Sequence, residues 1–330
     1  MEVLILLIVL LGLLFDYTNG FHDAANVVST VIGTKVLAPL SAIVMAGVLN
    51  FIGATQISGV AETIATGLVD ATEVSQIAIL AALIGAIFWN FLTWYWGIPS
   101  SSSYALIGGL IGAAWVHQGS HSILWKGVIG KVILPMFISP IAGFLIAYLL
   151  MKGLYFYLKK RREGHGAKIF RHLQIGSACF VALSHGLNDA QKSMGIITLG
   201  LFAGGYLSSP HIPYWVIIAC AIVMGLGTAS GGFRIIHTMA FSITKIEPVQ
   251  GFAAETSASF VILAASFMGI PVSSTQMIAG SITGVGTAKS LKAVSWKVPQ
   301  SLLYAWIFTL PGAGIVGALT YIIANLLGYS

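Results

Sequence analysis

The sequence predicts an all-α integral membrane protein that crosses the bilayer many times. Of its 330 residues, 57% are hydrophobic and only 8% are charged, whereas a soluble domain carries about 25% charged residues. The apolar residues form continuous runs instead of the alternating segments of a β-barrel, and the 38 glycines favour closely packed helices. We therefore expect a multi-spanning protein of about 10 to 12 membrane elements.

The apolar runs predict the individual elements. They lie at roughly 3–18, 36–56, 75–97, 101–117, 127–151, 173–187, 193–207, 213–230, 252–269, 271–287 and 299–328, with shorter pieces near 58–68 and 235–244. We expect the first run to be a membrane helix and not a cleavable signal, because Glu2 replaces the usual positive start. Several runs are too short to cross about 30 Å of hydrocarbon. Broken or half helices at the membrane midplane are therefore expected, enclosed by protein or by a water-filled cavity.

A basic segment divides the chain into two halves. Residues 152–172 contain a single acid, Glu163, and seven Lys or Arg residues: Lys152, Lys159, Lys160, Arg161, Arg162, Lys168 and Arg171. Because such residues collect on the cytoplasmic side of membrane proteins, we expect a cytoplasmic loop at 152–172 in a multi-pass protein of the cell membrane. The predicted organisation is an N-terminal repeat at 1–151 and a C-terminal repeat at 173–330.

Two pairs of motifs support the repeat. Gly-Phe-His-Asp-Ala-Ala-Asn at 20–26 can be laid on Gly-Leu-Asn-Asp-Ala-Gln-Lys at 186–192. Gly-Ile-Pro-Ser-Ser-Ser-Ser at 97–103 can be laid on Gly-Ile-Pro-Val-Ser-Ser-Thr at 269–275. Interrupted helices at matching positions are typical of secondary transporters, which bind their substrate at the repeat interface. We expect two repeats of inverted topology.

The hydroxyl-rich motifs suggest an anion site. Proline is favoured in the first turn of a helix, and the free N–H groups and positive dipole end of a helix bind oxyanions. In inverted repeats, two such termini could enclose one tetrahedral anion. The alternative is that these side chains only cap or pack helices. The substrate-binding candidates are Ser101, Ser102, Ser103, Ser273, Ser274 and Thr275.

The two aspartates in the other motif pair suggest a cation site. Asp23 and Asp189 lie in apolar surroundings, where an ionised carboxylate costs at least ~2.5–3.5 kcal/mol. Each therefore needs a cation, a proton or a basic partner. Asn26, Asn188 and Gln191 offer neutral oxygens, and such hard ligands suit Na⁺ or a divalent ion. We expect Na⁺ at Asp23 and Asp189, with helix capping as the alternative role of both aspartates.

Charge balance connects the two sites. The repulsion between an anion and two neighbouring carboxylates amounts to roughly several kcal/mol at an effective dielectric near 20. A bound cation or proton must therefore accompany the anion.

Other charged residues could contribute. Lys192 could add positive charge to the substrate site, and Arg234 is a secondary candidate. For both residues, a purely structural ion pair is an equally open alternative. Glu62 and Glu255 could line a second cation site or pin one helix to another, and Asp16 is expected near a membrane face.

With these motifs, the chain resembles the inorganic phosphate transporter (PiT) family, and within it the Pit-type permeases of bacteria and archaea. The matching stretches are 19–26, 97–103, 184–195 and 251–286. The resemblance implies an inverted-repeat symporter that imports inorganic phosphate with Na⁺ or H⁺. It also implies that the hydroxyl termini surround phosphate and that the substrate and coupling-ion site contains Asp23, Asn26, Asn188 and Asp189.

Two departures from the family pattern bear on the coupling ion. Relatives often carry histidine directly after each serine-rich run, where this chain has Tyr104 and Gln276. The loss of two titratable groups favours Na⁺ over H⁺. We expect no cofactor, no nucleic acid and no enzymatic activity; the expected partners are phosphate, the cation and membrane lipid, and a homodimer is left open.

Four other functions are compatible with parts of the pattern. A sulfate permease of the same fold would use a similar oxyanion cradle, although only protonated phosphate can donate hydrogen bonds to carboxylates. Symport of a neutral metal–phosphate complex is a second alternative. An enzyme acting on lipid phosphates would need a nucleophile and a base, and His22 and His185 near the aspartates do not form such a pair. Paired acids disfavour an anion channel.

Overall fold

The computed structural model describes residues 2–159 and 165–329. Apart from one isolated β-bridge, these residues form helices and connections, and the predicted all-α class is confirmed. The helices of more than one turn are α1 (Glu2–Gly33), α2 (Pro39–Ala54), α3 (Gly59–Thr66), α4 (Gln76–Tyr95), α5 (Ser102–Gln118), α6 (Trp125–Leu158), α7 (His165–Ala203), α8 (Tyr214–Ser230), α9 (Phe233–Ser242), α10 (Pro248–Phe267), α11 (Ser274–Lys289) and α12 (Lys297–Leu326).

Several of these helices are suited to crossing a membrane. Helices α1, α4, α6 and α12 are long and apolar enough to do so, and two bent pairs would raise the number to six within the described residues. The pairs are α2–α3, bent by 69°, and α8–α9, bent by 62°. Short helices were expected near 58–68 and 235–244, and α3 and α9 lie there.

Helices α1 to α6 and helices α7 to α12 follow the same order and pack in a matching pattern. Helix α12 packs on α4 and α5, and α6 packs on α10 and α11. In the same way α2 contacts α7, and α8 contacts α1. Each set of six helices therefore completes the packing of the other. This matching supports the predicted repeats, while their inverted topology stays a prediction.

The central helices are longer than the apolar runs suggested. Helix α1 continues through Asp23 and Asn26 to Gly33, and α7 is one helix where we expected separate runs at 173–187 and 193–207. That part of the prediction was wrong because polar residues interrupt the hydropathy without breaking the backbone. Both helices are enclosed here: nearly every residue from Phe15 to Val31 is buried, as is every residue from Ser184 to Leu201. Their polar side chains therefore avoid lipid.

The chain turns sharply between α4 and α5 and between α10 and α11. Gly97 and Gly269 have positive φ values of 65° and 63°, a conformation that glycine adopts without steric cost. We expected the following prolines in the first helical turn, but Pro99 and Pro271 lie two residues before the N-caps Ser101 and Ser273. The prolines thus shape an extended connection, and the serines start the helices.

Helices occupy most of the basic segment that we predicted as a loop at 152–172. Helix α6 continues to Leu158 and α7 begins at His165. The most basic part of the segment, residues 160–164, lies outside the described residues. The cytoplasmic location of this segment stays a prediction.

Candidate functional site

A buried polar cluster forms where α1 and α7 pack together. Asp23 and Asn26 lie three residues apart on α1, and Asp189 and Lys192 have the same spacing on α7, so each pair shares one helix face. All four residues are at most 2% exposed. The first turns of α5 and α11 bring hydroxyl groups to the cluster. The structure thus unites residues from both motif pairs and both halves.

Asp23 is held by its own helix and by α11. Its Oδ1 lies 2.8 Å from Nδ1 of His22 and accepts a 3.3 Å hydrogen bond from the Thr275 hydroxyl. The amide of Asn26 donates to Thr275 Oγ1 at 2.9 Å and to Ser274 Oγ at 3.2 Å. The hydroxyl pair on α11 therefore ties this part of α1 to the other half of the chain.

Asp189 has more partners. Ser274 donates a 2.6 Å hydrogen bond to Oδ2, and Nε2 of His185 lies 2.8 Å from the same oxygen. The Lys192 ammonium forms an ion pair with Oδ1, contacts the Ser103 hydroxyl and donates a 3.0 Å hydrogen bond to the Val272 carbonyl. Lys192 is therefore engaged with an aspartate and two further oxygens.

The two aspartates are close enough to influence each other strongly. Oxygens of Asp23 and Asp189 and a ring nitrogen of His185 lie within 4.8 Å of one another. Two carboxylates at that separation repel each other by ~3.5 kcal/mol at an effective dielectric of 20. One positive charge, Lys192, faces two negative ones. The cluster can therefore accept a further cation more readily than an anion alone.

The N-terminal ends of α5 and α11 lie beside the cluster and can hold an oxyanion. Ser101 and Ser273 are N-caps, and their hydroxyls accept from Tyr104 N and Gln276 N. Because the first N–H groups of a helix have no intrahelical partner, four donors remain without an acceptor in the described part of the chain: the backbone N–H groups of Ser102, Ser103, Ser274 and Thr275. The Ser102 hydroxyl also lacks a partner there.

Two predicted cation ligands have other contacts. Asn188 donates to Ser266 Oγ at 2.7 Å. Gln191 accepts from the backbone N–H groups of Val60 at 2.8 Å and Ala61 at 3.0 Å, and its own amide donates to a carbonyl of α7. The structure therefore makes Gln191 a cap for α3 and does not bring it to the cluster.

The secondary candidates lie elsewhere. Glu62 is exposed and accepts from the Ser58 hydroxyl. Arg234 is exposed and stacks over Trp94, with its charge 5.2 Å from the ring centroid. Glu255 is fully buried and accepts hydrogen bonds from two α7 residues, Gln174 and Ser177. The structure gathers none of them at the cluster.

Asp16 is a buried acid outside the cluster. We expected it near a membrane face; the structure shows that it is fully buried, and Oδ1 accepts a 2.6 Å hydrogen bond from Ser193. Its other oxygen has no partner among the described residues, and the same holds for both polar atoms of Asn19, three residues further along α1. The spacing of Asp16, Asn19 and Asp23 along one helix face was the signal that could have placed it.

Comparisons with known proteins place the chain in a family. The sequence model of a family described as "Phosphate transporter family" matches residues 19–167 and 157–317. A "Probable low-affinity inorganic phosphate transporter" from Rhizobium meliloti (strain 1021) is 45% identical, over 97% of this chain and 96% of the relative. A protein of the same description from Bacillus subtilis (strain 168) is 43% identical, over 98% of each chain.

A solved structure shares the fold. Its title is "The sodium-dependent phosphate transporter", and it superimposes with a TM-score of 0.89 at 23% sequence identity. The match covers 98% of this chain and 100% of the other. This likeness shows that the two proteins share the arrangement of the described helices.

Proposed function

The chain belongs to the phosphate transporter family, and on that premise we propose that it is a Na⁺-coupled symporter that imports inorganic phosphate across the cell membrane. Family and relatives alike are transporters and not enzymes, and the chain is a multi-pass membrane protein. The main support for the proposal is the buried cluster, because it brings two carboxylates together with the hydrogen-bond donors at the N-terminal ends of α5 and α11.

Phosphate binds at the two helix starts in this proposal. The open N–H groups of α5 and α11 and the Ser102 hydroxyl supply donors, which match the oxygens of a tetrahedral anion. The two starts come from opposite halves of the chain. A motion of α5 and the helices packed on it against α11 and the helices packed on it would therefore open the site to one side of the membrane at a time.

Na⁺ binds next to Asp23. The oxygens available there are the Asp23 carboxylate, the Thr275 hydroxyl and the Asn26 carbonyl oxygen, which has no partner among the described residues. Carboxylate, hydroxyl and amide oxygens are hard ligands of the kind that Na⁺ accepts. The cation offsets the repulsion between phosphate and the carboxylates, so that each ion favours the binding of the other. The similar solved structure is described as a sodium-dependent transporter, which supports Na⁺ as the coupling ion.

Uptake of [³²P]phosphate by proteoliposomes tests this function. We expect accumulation when an inward Na⁺ gradient is imposed and none with an inward H⁺ gradient alone. Accumulation driven by H⁺ alone would contradict the choice of Na⁺. Uptake abolished by excess sulfate would indicate a sulfate permease, and an absolute requirement for Mg²⁺ would indicate transport of a metal–phosphate complex.

Further measurements separate this function from the other classes. A channel would pass phosphate at the same rate with and without a cation gradient. Release of phosphate from a lipid phosphate ester by the purified protein would indicate an enzyme. We expect coupled flux and no hydrolysis.

A further inference from the structure

The two halves of the cluster differ at one matching position. In the motif alignment, Asn26 on α1 corresponds to Lys192 on α7. Both side chains reach across to a hydroxyl at the helix start of the other half, Asn26 to Thr275 and Lys192 to Ser103. These hydroxyls are themselves a matching pair in the second motif. The two positions are thus equivalent, but one holds a neutral amide and the other an ammonium group.

The surroundings of the Lys192 ammonium resemble a cation-binding site. Its contacts are a carboxylate oxygen of Asp189, the hydroxyl oxygen of Ser103 and the carbonyl oxygen of Val272. These are oxygen ligands of the types that bind hard cations. Lys192 is fully buried, so its charge is confined to this position.

The matching position on α1 is open. Near Asp23, the Asn26 side-chain nitrogen donates hydrogen bonds to two hydroxyl groups. The side-chain carbonyl oxygen of Asn26 is buried and has no partner in the described part of the chain. A neutral side chain cannot balance the Asp23 carboxylate. A ring nitrogen of His22 lies 2.8 Å from that carboxylate, but within the described residues no Lys or Arg side chain forms an ion pair with it, whereas Asp189 has Lys192.

We infer that Lys192 is a built-in cation that fills one of two equivalent cation positions, so that only the Asp23 position exchanges Na⁺ during transport. This inference rests on the proposed function. It sets the coupling ratio: each phosphate enters with one Na⁺ fewer than it would if both positions were open. Lys192 acts through Asp189 and is a positioning residue, not a ligand whose loss must abolish phosphate binding.

The variant Lys192→Asn copies the residue of the other half and tests the inference. In proteoliposomes, simultaneous [³²P]phosphate and ²²Na⁺ uptake should show one more Na⁺ per phosphate than in wild type. The Hill coefficient for Na⁺ should rise by about one, and high Na⁺ should restore phosphate uptake. The double variant Asp189→Asn/Lys192→Asn removes a balanced pair of charges and should return the ratio to the wild-type value.

Three results decide against the inference. An unchanged Na⁺-to-phosphate ratio in Lys192→Asn would overturn it. So would a folded Lys192→Asn protein that takes up no phosphate at any Na⁺ concentration, because Lys192 would then be a phosphate ligand. If the variant fails to fold, phosphate-dependent ²²Na⁺ binding to purified Asp23→Asn replaces it: loss of that binding is expected, and retention would place exchangeable Na⁺ at Asp189.

These experiments distinguish a failure of the Lys192 inference from a failure of the proposed function. Wild-type protein that shows no Na⁺-driven phosphate uptake contradicts the symporter proposal itself. Wild-type protein that shows this uptake, combined with an unchanged ratio in Lys192→Asn, contradicts only the role of Lys192.

Discussion

Replacing Gln191 by leucine should weaken the attachment of α3 to α7 without changing the cation dependence of transport. Helix α3 has no side-chain cap of its own at Ser58. Instead, the Gln191 carbonyl oxygen accepts from the N–H groups of Val60 and Ala61 at 2.8 and 3.0 Å. Gln191→Leu keeps a similar volume and leaves both buried donors without a partner.

The size of the effect follows from those two donors. A buried donor that loses its partner costs about 1–3 kcal/mol, so the pair costs ~2–6 kcal/mol if the two contributions add. At roughly 2–4 °C per kcal/mol for a large domain, the melting temperature should fall by about 4 °C or more. The surroundings cannot relax easily, because α3 packs closely on α7 at Gly195, where an added Cβ would lie 2.6 Å from the Ala61 oxygen.

A thiol-reactive dye reports the unfolding. Cys220 is fully buried and should react when the helices separate on heating. Gln56→Leu is a matched control, since Gln56 is exposed and its amide donates only to neighbouring groups. The reasoning is refuted if Gln191→Leu melts like wild type while the Na⁺ concentration for half-maximal phosphate uptake rises, because Gln191 would then be a cation ligand.

Two further changes test the packing and the buried acid outside the cluster. Gly112→Ala would place a Cβ 2.1 Å from the Gly314 carbonyl oxygen. Helices α5 and α12 should therefore separate, and the melting temperature should fall. Gly176→Ala is the control, because its Cβ would meet no atom within 4 Å, and it should melt like wild type. Ser193→Ala removes the donor to Asp16 and should cost about 1–3 kcal/mol of stability, measured by the same assay. A Ser193→Ala variant that melts like wild type would contradict the assigned contact.

The sequence was sufficient for the fold class and for the residues that meet at the centre, because these depend on composition and on duplicated motifs. Hydropathy could not show that α1 and α7 continue through their polar motifs. A run of polar residues has the same hydropathy whether it faces lipid, water or protein. Only the packing of the other helices around Asp23 and Asp189 reveals that these positions are enclosed.

The roles of individual polar side chains required the three-dimensional contacts. Gln191 is two residues from Asp189 in sequence, but it points to α3 because i and i+2 residues do not share a helix face. Asp16 is adjacent to an apolar run, and its hydrogen-bond donor is Ser193, which is 177 residues away in sequence. Lys192, one turn from Asp189, could be placed beside it from spacing alone, but its contact with Ser103 could not.

The most direct test of the account is Na⁺-driven uptake of [³²P]phosphate by Asp23→Asn. The substitution keeps the shape of the side chain and removes the charge that faces the open cation position. We predict that the variant no longer accumulates phosphate in response to an inward Na⁺ gradient, although it melts at a temperature close to that of wild type. Accumulation equal to that of wild type, with the same dependence on Na⁺, would contradict the claim that this carboxylate couples the cation to phosphate.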